Sequence, residues 1–201
     1  MNLRKALPRR TVLTASFAML AARTAAAATT TGTVFTADEL GGSVSALALP
    51  QGADCSARLP IAPHNVDIGA DRASLLLVGA PPGGAHGAAG GRLLVLDATD
   101  IARAPLLNVA IGPHPAHVVP DADGIHAYVS DSHDGAVMVV DLRAGRIVAR
   151  IPAGAEPHGL RLSPDGTELY VANMGGGGVS VVDVRRRRWH SRPTGTRSSS
   201  R

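Results

Sequence analysis

The chain is poor in the residues that most often announce a chemistry. It has one cysteine, Cys55, so no intramolecular disulfide can form and no CxxC pair is present to hold zinc. Its one lysine, Lys5, lies at the extreme N-terminus, which excludes a P-loop. HExxH and GxSxG are absent, and with them the zinc-protease and nucleophile-elbow readings. Phe, Trp and Tyr make up 2% of the 201 residues, too few for a core packed around rings, whereas 23 Gly and 14 Pro point to a turn-dense chain of Val, Leu, Ala and Ile. No apolar run reaches the roughly 20 residues that a bilayer-spanning helix needs.

The formal net charge is +4, which invites a nucleic-acid reading until the charges are located. Arg4, Lys5, Arg9, Arg10 and Arg23 crowd the N-terminus, and Arg185, Arg186, Arg187, Arg188, Arg192, Arg197 and Arg201 crowd the C-terminus. All 16 Asp and Glu fall between Asp38 and Asp183, so the body is acidic and a phosphate-binding surface loses its basis. The partner class expected is a protein or small ligand, with no nucleic acid and no membrane span.

Residues 1–28 read as a secretory signal: a basic start, an apolar stretch from Thr11 to Ala22, and the small residues Ala25 to Ala28. Pro8-Arg9-Arg10-Thr11-Val12-Leu13 resembles a twin-arginine export signal, and a Sec signal is the alternative. The chain is therefore expected in the periplasm or outside the cell.

The middle is a repeat. Gly112 through Asp141 superposes without gaps on Gly154 through Asp183, a period of 42, with Asp123-Gly124 meeting Asp165-Gly166 and Tyr128-Val129 meeting Tyr170-Val171. An earlier copy runs from Pro63 to Asp97, lengthened by a Gly-, Pro- and Ala-rich insertion within Gly79 to Gly91, and a partial copy covers Val34 to Ser45. Each unit holds short β runs separated by turn chemistry. Asp123-Gly124 and Asp165-Gly166 suit tight turns, and Asp97, Asp141 and Asp183 each close a Val- or Leu-rich run as turn caps. With Arg146 to Ile151 as an outer strand, four strands per period of about 40 residues is the arithmetic of a β-propeller. The fold class expected is all-β, a propeller of four-stranded antiparallel blades.

Pro157-His158-Gly159-Leu160-Arg161-Leu162-Ser163-Pro164-Asp165-Gly166, continuing through Leu169-Tyr170-Val171-Ala172-Asn173 to Val179-Ser180-Val181-Val182-Asp183, resembles the YVTN β-propeller repeat. The likeness spans roughly Thr33 to Val184 and implies an exported propeller, often seven-bladed. Residues 29–184 then supply about three and a half blades, with three strands in the opening fragment and three in the last unit. Residues 185–201, rich in Arg and Ser, lack the β pattern. They are expected to be a disordered tail, from a frame-shifted or truncated reading, and the missing outer strand would leave open blade edges for self-association.

Four histidines carry the chemical interest. The repeat places His64 and His158 at one position of two blades, with Ala116 there in the intervening blade, His117 beside it, and His114 three residues earlier. That position enters the innermost strand, which lines a propeller's channel, so these imidazoles could converge on a transition metal or haem iron. The competing reading is a Pro-His entry loop with each ring bonded to backbone. Asp67 and Asp71 read as turn residues, Gly175 to Gly178 as a hairpin, and His86, His126 and His133 as solvent-exposed. Two functions follow: a non-catalytic binding module, or a metal- or haem-linked redox protein using the channel-mouth histidines. No nucleophile and base pair can be named for an enzyme.

Overall fold

The computed structural model describes residues 30–52, 54–83 and 90–192. The signal-like segment, His86 in the insertion and residues 193–201 lie outside the described residues. Strands β1 (Gly32–Asp38), β2 (Ser43–Leu49) and β3 (Asp54–Arg58) form a three-stranded sheet in that order. A second sheet consists of β4 (Ala62–Ile68), β5 (Ser74–Ala80), β6 (Arg92–Asp97) and β7 (Leu107–Ala110). The third contains β8 (Pro115–Pro120), β9 (His126–Asp131), β10 (Ala136–Asp141) and β11 (Arg146–Pro152), and the fourth β12 (Pro157–Leu162), β13 (Glu168–Asn173), β14 (Gly178–Asp183) and β15 (Arg188–Arg192). Every sheet is an antiparallel meander in which chain order is spatial order. No helix occurs among the described residues. These are propeller blades, and the chain is an all-β partial propeller.

The expectation for the tail needs correction. Arg188–Arg192 is strand β15, paired in register with β14 from Val179↔Arg192 to Asp183↔Arg188. The fourth blade therefore has its outer strand. A Val-rich neighbour supplies backbone partners whatever side chains the added strand carries, so the missing β composition at Arg185 to Arg188 was a poor guide. The link is a tight turn: Asp183 accepts the Arg186 N–H at 2.8 Å, and Arg187 adopts φ 53°. The insertion begins after β5 and lengthens the β5–β6 loop.

The hydrophobic core lies between blades. Leu75 and Leu77 of β5 pack with Val44, Leu94 and Leu96 toward the first blade, while Leu76 and Val78 pack with Val118, Val129 and Met138 toward the third. Strand alternation sends successive side chains to opposite faces, and both faces of this blade are covered. That is why Leu75-Leu76-Leu77-Val78 is one unbroken apolar run. In β10 the same alternation sends Met138 and Val140 to the second blade and Val137 and Val139 to the fourth. In β13 only Leu169 and Val171 are buried, and Tyr170 is exposed.

Candidate metal centre

The innermost strands β4, β8 and β12 lie side by side, and each enters its blade through a β-bulge. In the second blade Pro63 pairs with Gly79 and Asn65 with Val78, leaving His64 as the extra residue. In the third, Pro115 pairs with Asp131 and Val118 with Val129, so Ala116 and His117 share one opposing residue. In the fourth, His158 and Gly159 do the same between Pro157↔Asn173 and Leu160↔Val171. Proline suits each start because it has no N–H to donate to the ladder there. A bulge bends its strand and re-aims a side chain. Here all three aim a histidine at one point.

Side chains satisfy the backbone groups that the bulges free. The buried Ser130 hydroxyl accepts the His117 N–H at 3.0 Å and donates to the His158 carbonyl at 2.6 Å. Asn65 Oδ1 accepts the Val118 N–H at 3.0 Å, and the Ser132 hydroxyl donates to the Pro157 carbonyl at 2.9 Å. These bonds tie the second blade to the third and the third to the fourth, at the residues that carry the histidines. Buried Asp131 accepts the N–H groups of His114 and Asp134 at 3.1 and 2.9 Å. Gly112 leaves room for it, since a Cβ there would lie 2.2 Å from the carboxylate.

The rings of His64, His117 and His158 converge with centroid separations of 6.1, 5.2 and 4.8 Å. His64 Nε2 and His158 Nε2 are hydrogen-bonded at 3.2 Å, one ring donating to the other, so an ion between them would take the place of that proton; one nitrogen from each of the three rings lies within 4.8 Å of the others. Two nitrogens bound tetrahedrally at about 2.0–2.1 Å from zinc stand about 3.4 Å apart. The first pair is thus already near ligand spacing, and the third ring needs a shift of up to about 1.4 Å, within reach of a rotamer adjustment. Burial pulls the pKa of His117 below its ordinary 6.5, reinforced by the neighbouring His158, His64 and Arg161. Burial likewise lowers His158, helped by His64 and His114. Both rings therefore favour the neutral form, which is the form that binds metal.

His114 is not in this trio. It precedes β8 and lines an open groove of about 580 Å³ above the cluster, with Glu39, His64, Ser132, His133, Glu156, His158 and Met174. His133 is exposed. His126, expected at the surface, is instead half-buried, its Nδ1 3.1 Å from Asp121 Oδ2. The aspartates identified as turn caps lie at the other ends of the strands. Asp97 accepts the Thr99 N–H and hydroxyl, Asp141 the N–H groups of Arg143 and Ala144, and Asp123 the Ile125 N–H. Asp165 accepts the Ser163 hydroxyl and both donors of Thr167, while Gly124 and Gly166 each hold φ 69° beside these carboxylates. Asp71 caps its turn through Ala73 and Ser74, whereas Asp67, expected in a turn, lies within β4, its carboxylate accepting the Ile68 N–H.

Sequence reasoning missed Glu39. It sits in the β1–β2 turn of the first blade and places Oε2 3.2 Å from His64 Nδ1. The available signal was the alignment of Gly41-Gly42 with Gly176-Gly177, because turns between second and third strands all come to this end of the blades.

Antiparallel sheets of three or four strands in sequential order, with the innermost strands of three of them side by side, define a propeller-type protein, here with three histidines brought together from three blades. Known structures agree on the fold. Kuenenia stuttgartiensis hydrazine synthase matches at 25% identity with a TM-score of 0.57, over 66% of this chain and 35% of that one. A functionally unknown protein from Desulfotomaculum acetoxidans matches at 12% identity with a TM-score of 0.61, over 77% and 52%. The chain thus spans about a third and about a half of these two. No protein-family pattern and no curated protein matches the sequence.

Proposed function

We propose that this chain is an exported, YVTN-like propeller module that binds one divalent first-row transition-metal ion through His64, His117 and His158 at the channel mouth. The observation that carries the reading is the convergence of three bulge-borne imidazoles from three different blades, with two Nε2 atoms 3.2 Å apart. Imidazole suits Zn, Cu, Fe and Ni alike, so the donor set names a class of ion. A bare ion fits better than haem iron, whose equatorial positions are filled by the macrocycle, leaving at most two axial sites for imidazole on opposite faces. Three protein ligands leave a coordination position facing the groove lined by Glu39, Glu156, Ser132 and Met174, where a small ligand can reach the ion. The role is binding.

The test is titration of chelator-treated, purified protein with Zn²⁺, Co²⁺ and Cu²⁺, followed by calorimetry and elemental analysis. One ion per chain is expected, abolished by H158A with the β-rich circular dichroism retained. A folded protein that takes up no stoichiometric ion overturns the proposal and favours a metal-free binding module.

A further inference from the structure

A metal-binding histidine must present a lone pair to the ion, and which nitrogen does so is set by the hydrogen bond at the other. In His64 that other nitrogen, Nδ1, faces the Glu39 carboxylate at 3.2 Å, while Nε2 faces His158 Nε2. An ionised carboxylate only accepts, so the proton of a neutral His64 resides on Nδ1, and the lone pair on Nε2 faces the cluster, where in the ion-free protein it accepts from His158 Nε2–H. The two residues lie in different blades, 25 positions apart, with Glu39 at the β1–β2 turn and His64 in the β4 bulge. The turn itself is pinned by the Gly41 N–H on Asp38 Oδ1 at 2.9 Å and by the Leu59 N–H on the Gly42 carbonyl at 2.8 Å.

We infer that Glu39 is the positioning residue of the centre, fixing the tautomer and direction of His64 from the neighbouring blade, so that four blades build a site whose three direct ligands come from three. This rests on the metal reading above, but its first half concerns the ion-free protein. Carboxylate–histidine–metal arrangements of this kind raise ligand basicity, and losing the outer partner lowers metal affinity by about 10–100-fold. Glu39 also couples the ion to the first blade, which gives no direct ligand.

Two measurements separate the parts. Nitrogen-15 chemical shifts of the histidine rings in metal-free protein should show His64 protonated at Nδ1, with E39A moving population toward the Nε2–H form. Zinc titration should show E39A about 10–100-fold weaker than wild type, and E39Q in between, because a glutamine oxygen still accepts the Nδ1–H without the charge. The Co²⁺ absorption spectrum should keep the same band positions in E39Q as in wild type, since the ligand set is unchanged. Thermal stability without metal should hardly move in either variant, because Glu39 is 56% exposed in a turn. A wild-type His64 protonated at Nε2, or E39A binding zinc as tightly as wild type, would overturn the inference. So would a changed cobalt spectrum in E39Q, which would make Glu39 a direct ligand. Wild-type protein with the Nδ1–H tautomer and no ion uptake would leave Glu39 orienting His64 and defeat only the metal reading.

Discussion

Ser130 bears on both the arc of blades and the candidate site, so Ser130→Ala tests how they are joined. The side chain is 0% exposed, and its hydroxyl bridges the third and fourth blades by accepting the His117 N–H and donating to the His158 carbonyl. Alanine removes both bonds while leaving almost no cavity, so the packing term is small. A buried polar group left without its partner costs about 1–3 kcal/mol; two groups are orphaned here, but both belong to partly buried residues, so a loss near the low end, about 2–3 kcal/mol, is expected. Urea unfolding of metal-free protein measures it. Ser180→Ala is the matched control: Ser180 is 1% exposed and bonds the Ala153 carbonyl and Asn173 in the same manner, but touches no bulge histidine. Both variants should lose comparable stability, and Ser130→Ala alone should bind zinc more weakly, because its bulges carry two of the three ligands. A Ser130→Ala protein within about 0.5 kcal/mol of wild type would show that the bulges do not depend on this hydroxyl, and the account of how the rings are aimed would fail.

Other perturbations probe the same logic. Gly79→Ala should disrupt the β4 bulge, because the new Cβ would lie 2.0 Å from the Ala62 carbonyl oxygen; lower expression or a Tm loss, with weaker zinc binding in any folded fraction, is the expected result, and an unchanged protein would contradict the tight approach. Asp165 is held down to about 2 from 3.8 by the Ser163 hydroxyl and both Thr167 donors. Its stabilisation is therefore present above pH 3.8 and lost as pH falls toward 2, and acid unfolding curves of Asp165→Asn should be flatter than wild type across that window. The Tyr128 phenol is pushed up from 10.0 to about 12, first by burial and then by the Asp121 charge. A raised phenol stabilises the fold below pH 10 and loses that contribution as pH rises toward 12, so alkaline unfolding should be delayed in Tyr128→Phe, followed by circular dichroism.

The period of 42 between Gly112 and Gly154 was enough to give strand order, blade size and antiparallel pairing, because each repeat must form the same meander and bury its faces against its neighbours. The repeat also marked His64 and His158 as equivalent. It also named His117, offset by one place, as a candidate, together with His114, but could not show that His117 would join them and His114 would not. That depended on bulges two residues wide in β8 and β12, where either residue can be aimed inward, and a bulge has no reliable sequence signature. Nor could it place Glu39 against His64, a contact between turns of adjacent blades set by the packing of whole sheets. Arg188–Arg192 makes the same point for the fold: its composition argued against a strand, yet backbone pairing with β14 formed one. Sequence alone determined what recurs within a blade, since local turn chemistry and strand period are encoded residue by residue. Tertiary structure decided what meets between blades, since those distances come from sheet packing and bulge geometry that no single repeat contains.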